Sequence, residues 1–335
     1  SYQVLHCHTK LSDGTLSHRE VLDKCRDNNI EVVAFTDHDI LMTDETVNDL
    51  KKLNHQVKFI SGIEFSVTGT PEVKGGVELF HIIGLFVDHK NNALRKYCID
   101  AKKKRRERIA LFVSKLNAIG FSVTEEEVDK KTSEGTLGRP HLAKAILAKE
   151  ENFAVIDRAL LQLKKKGEDD PTLAAKYKKI KNNNRFQLMF DLFLGNRPVV
   201  KGIYTPYLRD VPLDFGVKLI RDAGGLAILA HPSYYRDKLG KDIIEKFAKE
   251  GRIDGIETVY ALLDYRNLDD FKGDMDIFRQ INEKYGLVPS GGGDFHTPED
   301  FEKLNIPLNI ERMQETKGFL DRIFIKWPEY RGKVY

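Results

Sequence analysis

The chain has 335 residues, enough for one large domain or for a barrel carrying an inserted unit. Its 54 basic and 51 acidic residues leave a formal net charge of +3, so any attraction for polyanions must come from local clusters. No apolar run nears the roughly 18 residues needed to span a bilayer, which excludes a helical membrane protein and leaves no membrane partner to expect. Cys7, Cys25 and Cys98 show no zinc-binding spacing, and an odd number of free thiols suits a reducing compartment; a cytoplasmic location is expected. Nothing near the start reads as a signal peptide, and the chain opens on Ser1, so native residues are expected to precede it.

In chain order, YQVLHCH predicts a strand, and Ser17 to Glu20 predicts a capping box that opens the next helix. EVVAFTD predicts a second strand and TDETVNDLKKL a second helix; QVKFISGIEFSV and VELFHIIGLFV predict two further strands. Later, GLAILAHP, IDGIETV and GLVPSGGGDFH each follow a helical pattern. Repeated β-then-α units argue for a parallel sheet or closed barrel with helices outside. The rhythm breaks between residues 100 and 199, where strand signals are nearly absent. That stretch predicts an all-helical domain inserted into a β/α domain of residues 1–99 and 200–335, which resumes near Pro198-Val199-Val200. Gly167 to Asn184 is charged and reads as a mobile loop or an exposed helix.

Nine His and acidic residues sit at or beside the ends of short apolar runs: His6, His8, Asp13, His38, Glu64, His81, His231, Asp294 and His296. His6-x-His8 on an extended segment puts both imidazoles on one face, and Asp294-x-His296 repeats the spacing. Glu64 ends the apolar run FISGIEF, where a carboxylate is costly unless bonded or bound to a cation. His81 interrupts a core-like run, and Pro232 stops a strand directly after His231. Asp37, His38 and Asp39 close the second strand with three polar groups where one would suffice. Imidazole and carboxylate donors without thiolate suit zinc, manganese or iron, and nine donors exceed the need of one ion. Two or three divalent ions sharing carboxylates are expected, an arrangement suited to catalysis on a phosphoryl group.

The stretches LHCHTKLSDGT, AFTDHD, GIEFS, HIIGLFVD, GGLAILAHP and GGDFH, in this order from His6 to about Thr297, resemble the motifs of the PHP (polymerase and histidinol phosphatase) metal-dependent phosphoesterases. The resemblance implies a distorted (β/α)7 barrel with an inserted helical cap domain. It implies that His6, His8, Glu64 and Asp294 hold a first ion, and that Glu64 bridges to a second with His81 and His231. Asp13, His38 and His296 would hold a third. Asp37 would orient a ligand imidazole, and Asp39 would be a turn residue. GRPHLAKAIL with the following FDLFLG segment resembles the branch containing nucleoside 3′,5′-bisphosphate phosphatases and 5′-to-3′ exonucleases, with Arg139 and His141 facing the substrate phosphates. A guanidinium grips phosphate oxygens in pairs, and an imidazole adds a donor.

The expected reaction is hydrolysis of a phosphate ester of a nucleotide or short RNA or DNA, by a hydroxide shared between ions held by His6, His8, Glu64 and Asp294. The alternatives are a phosphatase of a small metabolite such as histidinol phosphate, or a non-catalytic nucleic-acid-binding module with a vestigial metal site. No stable protein partner is inferred. Gly291, Gly292 and Gly293 stand where the family has one small residue, which implies a looser turn, and the lysine-rich stretch of the insertion is longer than the branch pattern. In the run Lys102 to Arg108, six of seven residues are cationic; it either steers an anionic substrate or forms a solvated helix face. Tyr260 either stacks on a base or packs in the core.

Overall fold

A computed structural model describes residues 1–53, 55–73, 80–132, 135–235, 239–260 and 268–335. Seven strands form one sheet in sequence order: β1 (Tyr2–Cys7), β2 (Ile30–Phe35), β3 (Lys58–Val67), β4 (Phe80–Leu85), β5 (Leu226–Leu229), β6 (Gly255–Tyr260) and β7 (Val288–Gly292). The pairs β1–β2, β2–β3, β5–β6 and β6–β7 are parallel. The sheet is not wholly parallel, as one of the two expected arrangements would have it: β4 runs antiparallel to both β3 and β5. Among the described residues no helix lies between β3 and β4, and His81 enters at the start of its strand while Glu64 lies in the second half of β3. The reversal brings the two to one end of the sheet, where Ser66 pairs with His81. Beyond β7, Phe295 bridges Cys7 of β1 in the parallel sense, and the His8 amide donates to the Phe295 carbonyl at 2.8 Å.

The strands are apolar on both faces because both are covered. Val33, Phe35 and Phe59 pack with Val21, Leu22 and Cys25 of the helix His18–Asp27. The alternate residues Val32, Ala34 and Ile60 pack with Phe319, Leu320 and Ile323 of the helix Phe319–Lys326. Burying each such large side chain contributes about 1.5–3 kcal/mol. The helix His18–Asp27 starts at the expected capping box: the Ser17 hydroxyl accepts from the Glu20 amide at 3.3 Å, and the Glu20 carboxylate accepts from the Ser17 amide at 2.7 Å.

The chain divides into two compact units, residues 1–102 with 209–335, and residues 103–208. Among its described residues the second unit is helical, with a core of Phe112, Leu116, Leu142, Ile146, Ile156 and Phe193. Asn152 ties it together, donating to the Ile146 and Ser122 carbonyls and accepting from the Ser122 amide at 2.7 Å. The charged stretch 167–184 contains the helix Pro171–Ile180, started by the Asp170 carboxylate on two amides and anchored by buried Ile180. The basic run is split rather than uniform. Arg106 pairs with Asp129 at 2.9 Å, while Arg105 and Arg108 are buried, and the Arg108 guanidinium lies beside Phe112, Tyr204 and Tyr207 and donates to the Thr205 carbonyl. Guanidinium is weakly hydrated and stacks on rings, so two of these cations serve packing.

Among the described residues, no helix is long and apolar enough to cross a membrane.

Candidate metal centre

Glu64, fully buried on β3, lies at the middle of the site. Its Oε1 lies 2.8 Å from His81 Nδ1 and 3.0 Å from His231 Nε2. Its Oε2 lies 2.9 Å from His38 Nδ1, 3.2 Å from His8 Nε2 and 3.5 Å from His6 Nε2. Five imidazoles therefore converge on one carboxylate. Asp294 adds a second acid, its Oδ1 2.9 Å from His8 Nε2 and 3.1 Å from His6 Nε2. Asp13 adds a third, 3.3 Å from His296 Nε2 and 3.8 Å from both His8 and His38.

All nine predicted donors meet here, eight of them in three overlapping groups of metal-ligating spacing. These are His6, His8, Glu64 and Asp294; His8, Asp13, His38 and His296; and His38, Glu64 and His81. His231 joins through its contact with Glu64. The groups differ from the implied partition in two respects: His8 and His38 each belong to two of them, and His38 rather than His231 stands with Glu64 and His81.

The backbone is bent to deliver these side chains. Asp294 and His231 adopt left-handed φ values of 51° and 27°, which costs a non-glycine residue of order 1–3 kcal/mol and persists where the surroundings enforce it. The glycine run before Asp294 is not loose. A β-carbon on Gly291 would approach the Val259 carbonyl to 2.3 Å, and one on Gly293 would overlap the buried Phe295 ring, so these positions have no room for a side chain.

Two further acids hold donors in place. Glu257 on β6, 3% exposed, lies 3.0 Å from His6 Nδ1 and accepts from the His231 backbone amide at 2.6 Å. It fixes His6 Nδ1 as donor and turns Nε2 toward Glu64 and Asp294. The sequence reading missed Glu257 as a site residue; its signal was a carboxylate inside an apolar strand. Asp37 behaves differently from expectation. Its carboxylate accepts from the Thr9 amide, the Thr9 hydroxyl and the Ser12 hydroxyl at 2.7, 2.9 and 2.6 Å, and reaches His8 only through Ser12, which lies 3.3 Å from His8 Nδ1. Asp39 is a turn residue with φ 52° whose carboxylate also accepts from the Tyr97 hydroxyl.

The electrostatics follow from crowding acids and imidazoles out of water. Burial pushes the Glu64 carboxyl upward, but the charges of His81, His38 and His6 and the His231 hydrogen bond hold it well below the usual range. Asp294 is likewise pushed up by burial and held down more strongly by His6 and His296. Burial depresses His8, yet its hydrogen bonds to Asp294 and Glu64 outweigh that and raise it to about 10. His38 falls, because burial outweighs the acids near it. These carboxylates stay ionised in a dry place and demand positive charge there. A set of imidazole nitrogens and carboxylate oxygens with shared members fits two or more divalent cations.

In the helical unit, Arg139 and His141 open the helix Arg139–Leu147. The Arg139 guanidinium donates to the Leu194 carbonyl and the Asn196 side chain. Buried His141 accepts from the Gly138 amide through Nδ1 at 3.0 Å, which leaves Nε2 as the donor. The side chain of Tyr260 lies outside those described.

The PHP domain family model matches residues 5–189. A 3′,5′-nucleoside bisphosphate phosphatase of Chromobacterium violaceum is 25% identical over 297 residues, 88% of this chain and 87% of the relative. A 5′-3′ exoribonuclease of Haemophilus influenzae is 26% identical, with 91% of this chain and 94% of the relative covered. A phosphoribosyl 1,2-cyclic phosphate 1,2-diphosphodiesterase of Eggerthella lenta is also 26% identical, with 87% and 93% covered. In fold, the chain resembles a solved amidohydrolase of Chromobacterium violaceum with bound sulfate and no metal (TM-score 0.62, 24% identity, 90% of this chain and 89% of that one covered). With a family model spanning more than half its length and a buried His-carboxylate centre of metal-binding spacing, the chain belongs to the PHP domain family and is a metal-dependent phosphoesterase.

Proposed function

We propose that the chain hydrolyses a phosphate ester of a nucleotide or short oligonucleotide, of the nucleoside 3′,5′-bisphosphate phosphatase or 5′-to-3′ exonuclease type. The observation that carries this reading is the convergence of five imidazoles on Glu64, a donor set far larger than one ion needs. In this reading His6, His8, Asp13, His38, Glu64, His81, His231, Asp294 and His296 hold two or three manganese, zinc or iron ions. Such ions supply an activated water at neutral pH and neutralise charge on the phosphoryl oxygens.

The chain's own contribution is positioning. Glu64 shares its two oxygens between separate imidazole groups and so sets the spacing of whatever cations they take. Glu257 keeps His6 in the tautomer that presents Nε2, and Asp37 holds the Thr9–Ser12 turn against His8. Arg139 grips the phosphate through its planar fork, and His141 donates from Nε2. We further propose that the sheet closes as a distorted seven-stranded barrel and that the inserted helical stretch acts as its cap. The relatives that act on a nucleoside bisphosphate and on RNA support the substrate class.

The test is to assay the manganese-loaded protein on adenosine 3′,5′-bisphosphate, a 5′-phosphorylated short RNA, a ribose 1,2-cyclic phosphate and histidinol phosphate. Phosphate released from the first, or mononucleotides from the second, is the expected outcome. Turnover of only the last two compounds would remove the nucleotide reading.

A further inference from the structure

A cleft of about 540 Å³ opens on the same strand as Glu257 but is lined by none of the nine donors. Thr258 of β6, Val288 and Pro289 of β7, and Asn282 of the helix Leu268–Tyr285 contribute to it, together with Phe319 and Trp327 at either end of the helix Phe319–Lys326. Two of its polar residues, Thr258 and Asn282, are each 3% exposed. The Asn282 amide nitrogen donates to the Ile256 carbonyl at 3.0 Å, but its Oδ1 is buried with no hydrogen-bond partner among the described residues. A buried carbonyl acceptor without a donor costs about 1–3 kcal/mol, so something usually satisfies it.

The charges of this cleft are unbalanced. Glu315 pairs with Arg279 and its charge also acts on Arg322, while Lys317, Arg322 and Lys326 form no close ion pair among the described residues. The exposed Arg322 guanidinium donates to the Gly318 and Glu315 carbonyls, and Lys326 donates to the Gly286 carbonyl while its ammonium lies 4.4 Å from the centroid of the Trp327 ring. Two acids, Glu283 and Glu315, line the cleft against four cations, Arg279, Lys317, Arg322 and Lys326. The cleft therefore combines a buried acceptor, flat apolar walls and surplus positive charge, and each feature selects a different part of a ligand. The acceptor takes an N–H group, the walls take a ring, and the cations take an anion.

We infer that this cleft binds a nucleoside monophosphate, its base against Trp327 and Pro289 with an N–H donated to Asn282, and its phosphate held by Lys317, Arg322 and Lys326. The inference does not depend on the substrate proposed above. Trp327 is the chain's single tryptophan, so its emission reports on this cleft directly. The experiment is to titrate the manganese-loaded protein with AMP, adenosine and inorganic phosphate while recording that emission. AMP is expected to give a saturable change, with adenosine and phosphate each weaker by about ten-fold or more. Arg322→Ala should raise the AMP midpoint by about ten-fold or more, the loss of one charge-assisted contact. Glu64→Ala should leave that midpoint where it was, because the cleft is separate from the metal donors. The inference is overturned by no saturable change, by a midpoint unmoved in Arg322→Ala, by phosphate matching AMP, or by loss of the signal in Glu64→Ala.

Discussion

At the residue scale, the centre depends on which atoms hold the donors still. Glu257 touches two of them, the His6 ring and the His231 amide. Glu257→Gln preserves size but cannot keep Nδ1 of His6 as a donor on both rotamers, so metal affinity or activity should fall by about 10–100-fold. Retained metal content and unchanged turnover in that variant would show that Glu257 only packs. Protons give a second prediction. His8, held at about 10 in the absence of a cation, carries a proton at neutral pH that a cation must displace. Loading manganese at pH 7 should therefore release protons, and apparent affinity should rise with pH; calorimetry in two buffers of different ionisation enthalpy measures it. The nine donors were legible because buried polar groups at strand ends are costly, whatever the fold. Glu257 was not, because one carboxylate within IETV suits a solvent-facing strand position equally well. The role of Asp37 was misread for a related reason: spacing gives the donor, but the Ser12 hydroxyl that intervenes is fixed by a turn no pattern announces.

At the scale of elements, strands and helices followed from periodicity, but strand direction did not. A buried strand reads the same from either end, so nothing in LFHIIGLF says that β4 reverses. The consequence is functional, since the reversed strand offers His81, its second residue, beside Glu64. The glycine run was legible as unusual and misjudged in sense. Gly293 permits the Phe295 ring to pack where a methyl group would stand. Gly293→Ala should destabilise the protein by about 1–3 kcal/mol through overpacking and displace Asp294, the next residue. Urea unfolding and metal content together check this; a variant with native stability and full metal content would contradict it.

At the scale of the whole molecule, the helical stretch was visible by the loss of strand signals, while its far boundary was not. Pro198-Val199-Val200 resembles a returning strand, yet the Val199 and Val200 amides donate to the Asp191 and Leu192 carbonyls and both side chains pack on the helical core. The unit ends instead at Leu208. β-branched residues favour strands only where a partner strand is present, and tertiary packing decided otherwise. Because the centre gathers residues from both ends of the chain, from His6 to His296, cations held there stabilise the native state alone. At a free concentration a hundred times Kd each site adds about 2.7 kcal/mol, so stripping the metal with a chelator should lower Tm and re-addition should restore it. A Tm indifferent to chelation would mean that these donors hold nothing.

The most direct measurement is anomalous diffraction at the manganese edge from crystals of the manganese-loaded protein. The account predicts two or three peaks within coordination distance of the Glu64, Asp294 and Asp13 carboxylates, with at least one peak shared by Glu64 and the His81–His231 pair. Peaks confined to other parts of the molecule, or imidazoles that remain bonded to these carboxylates with no peak between them, would contradict it.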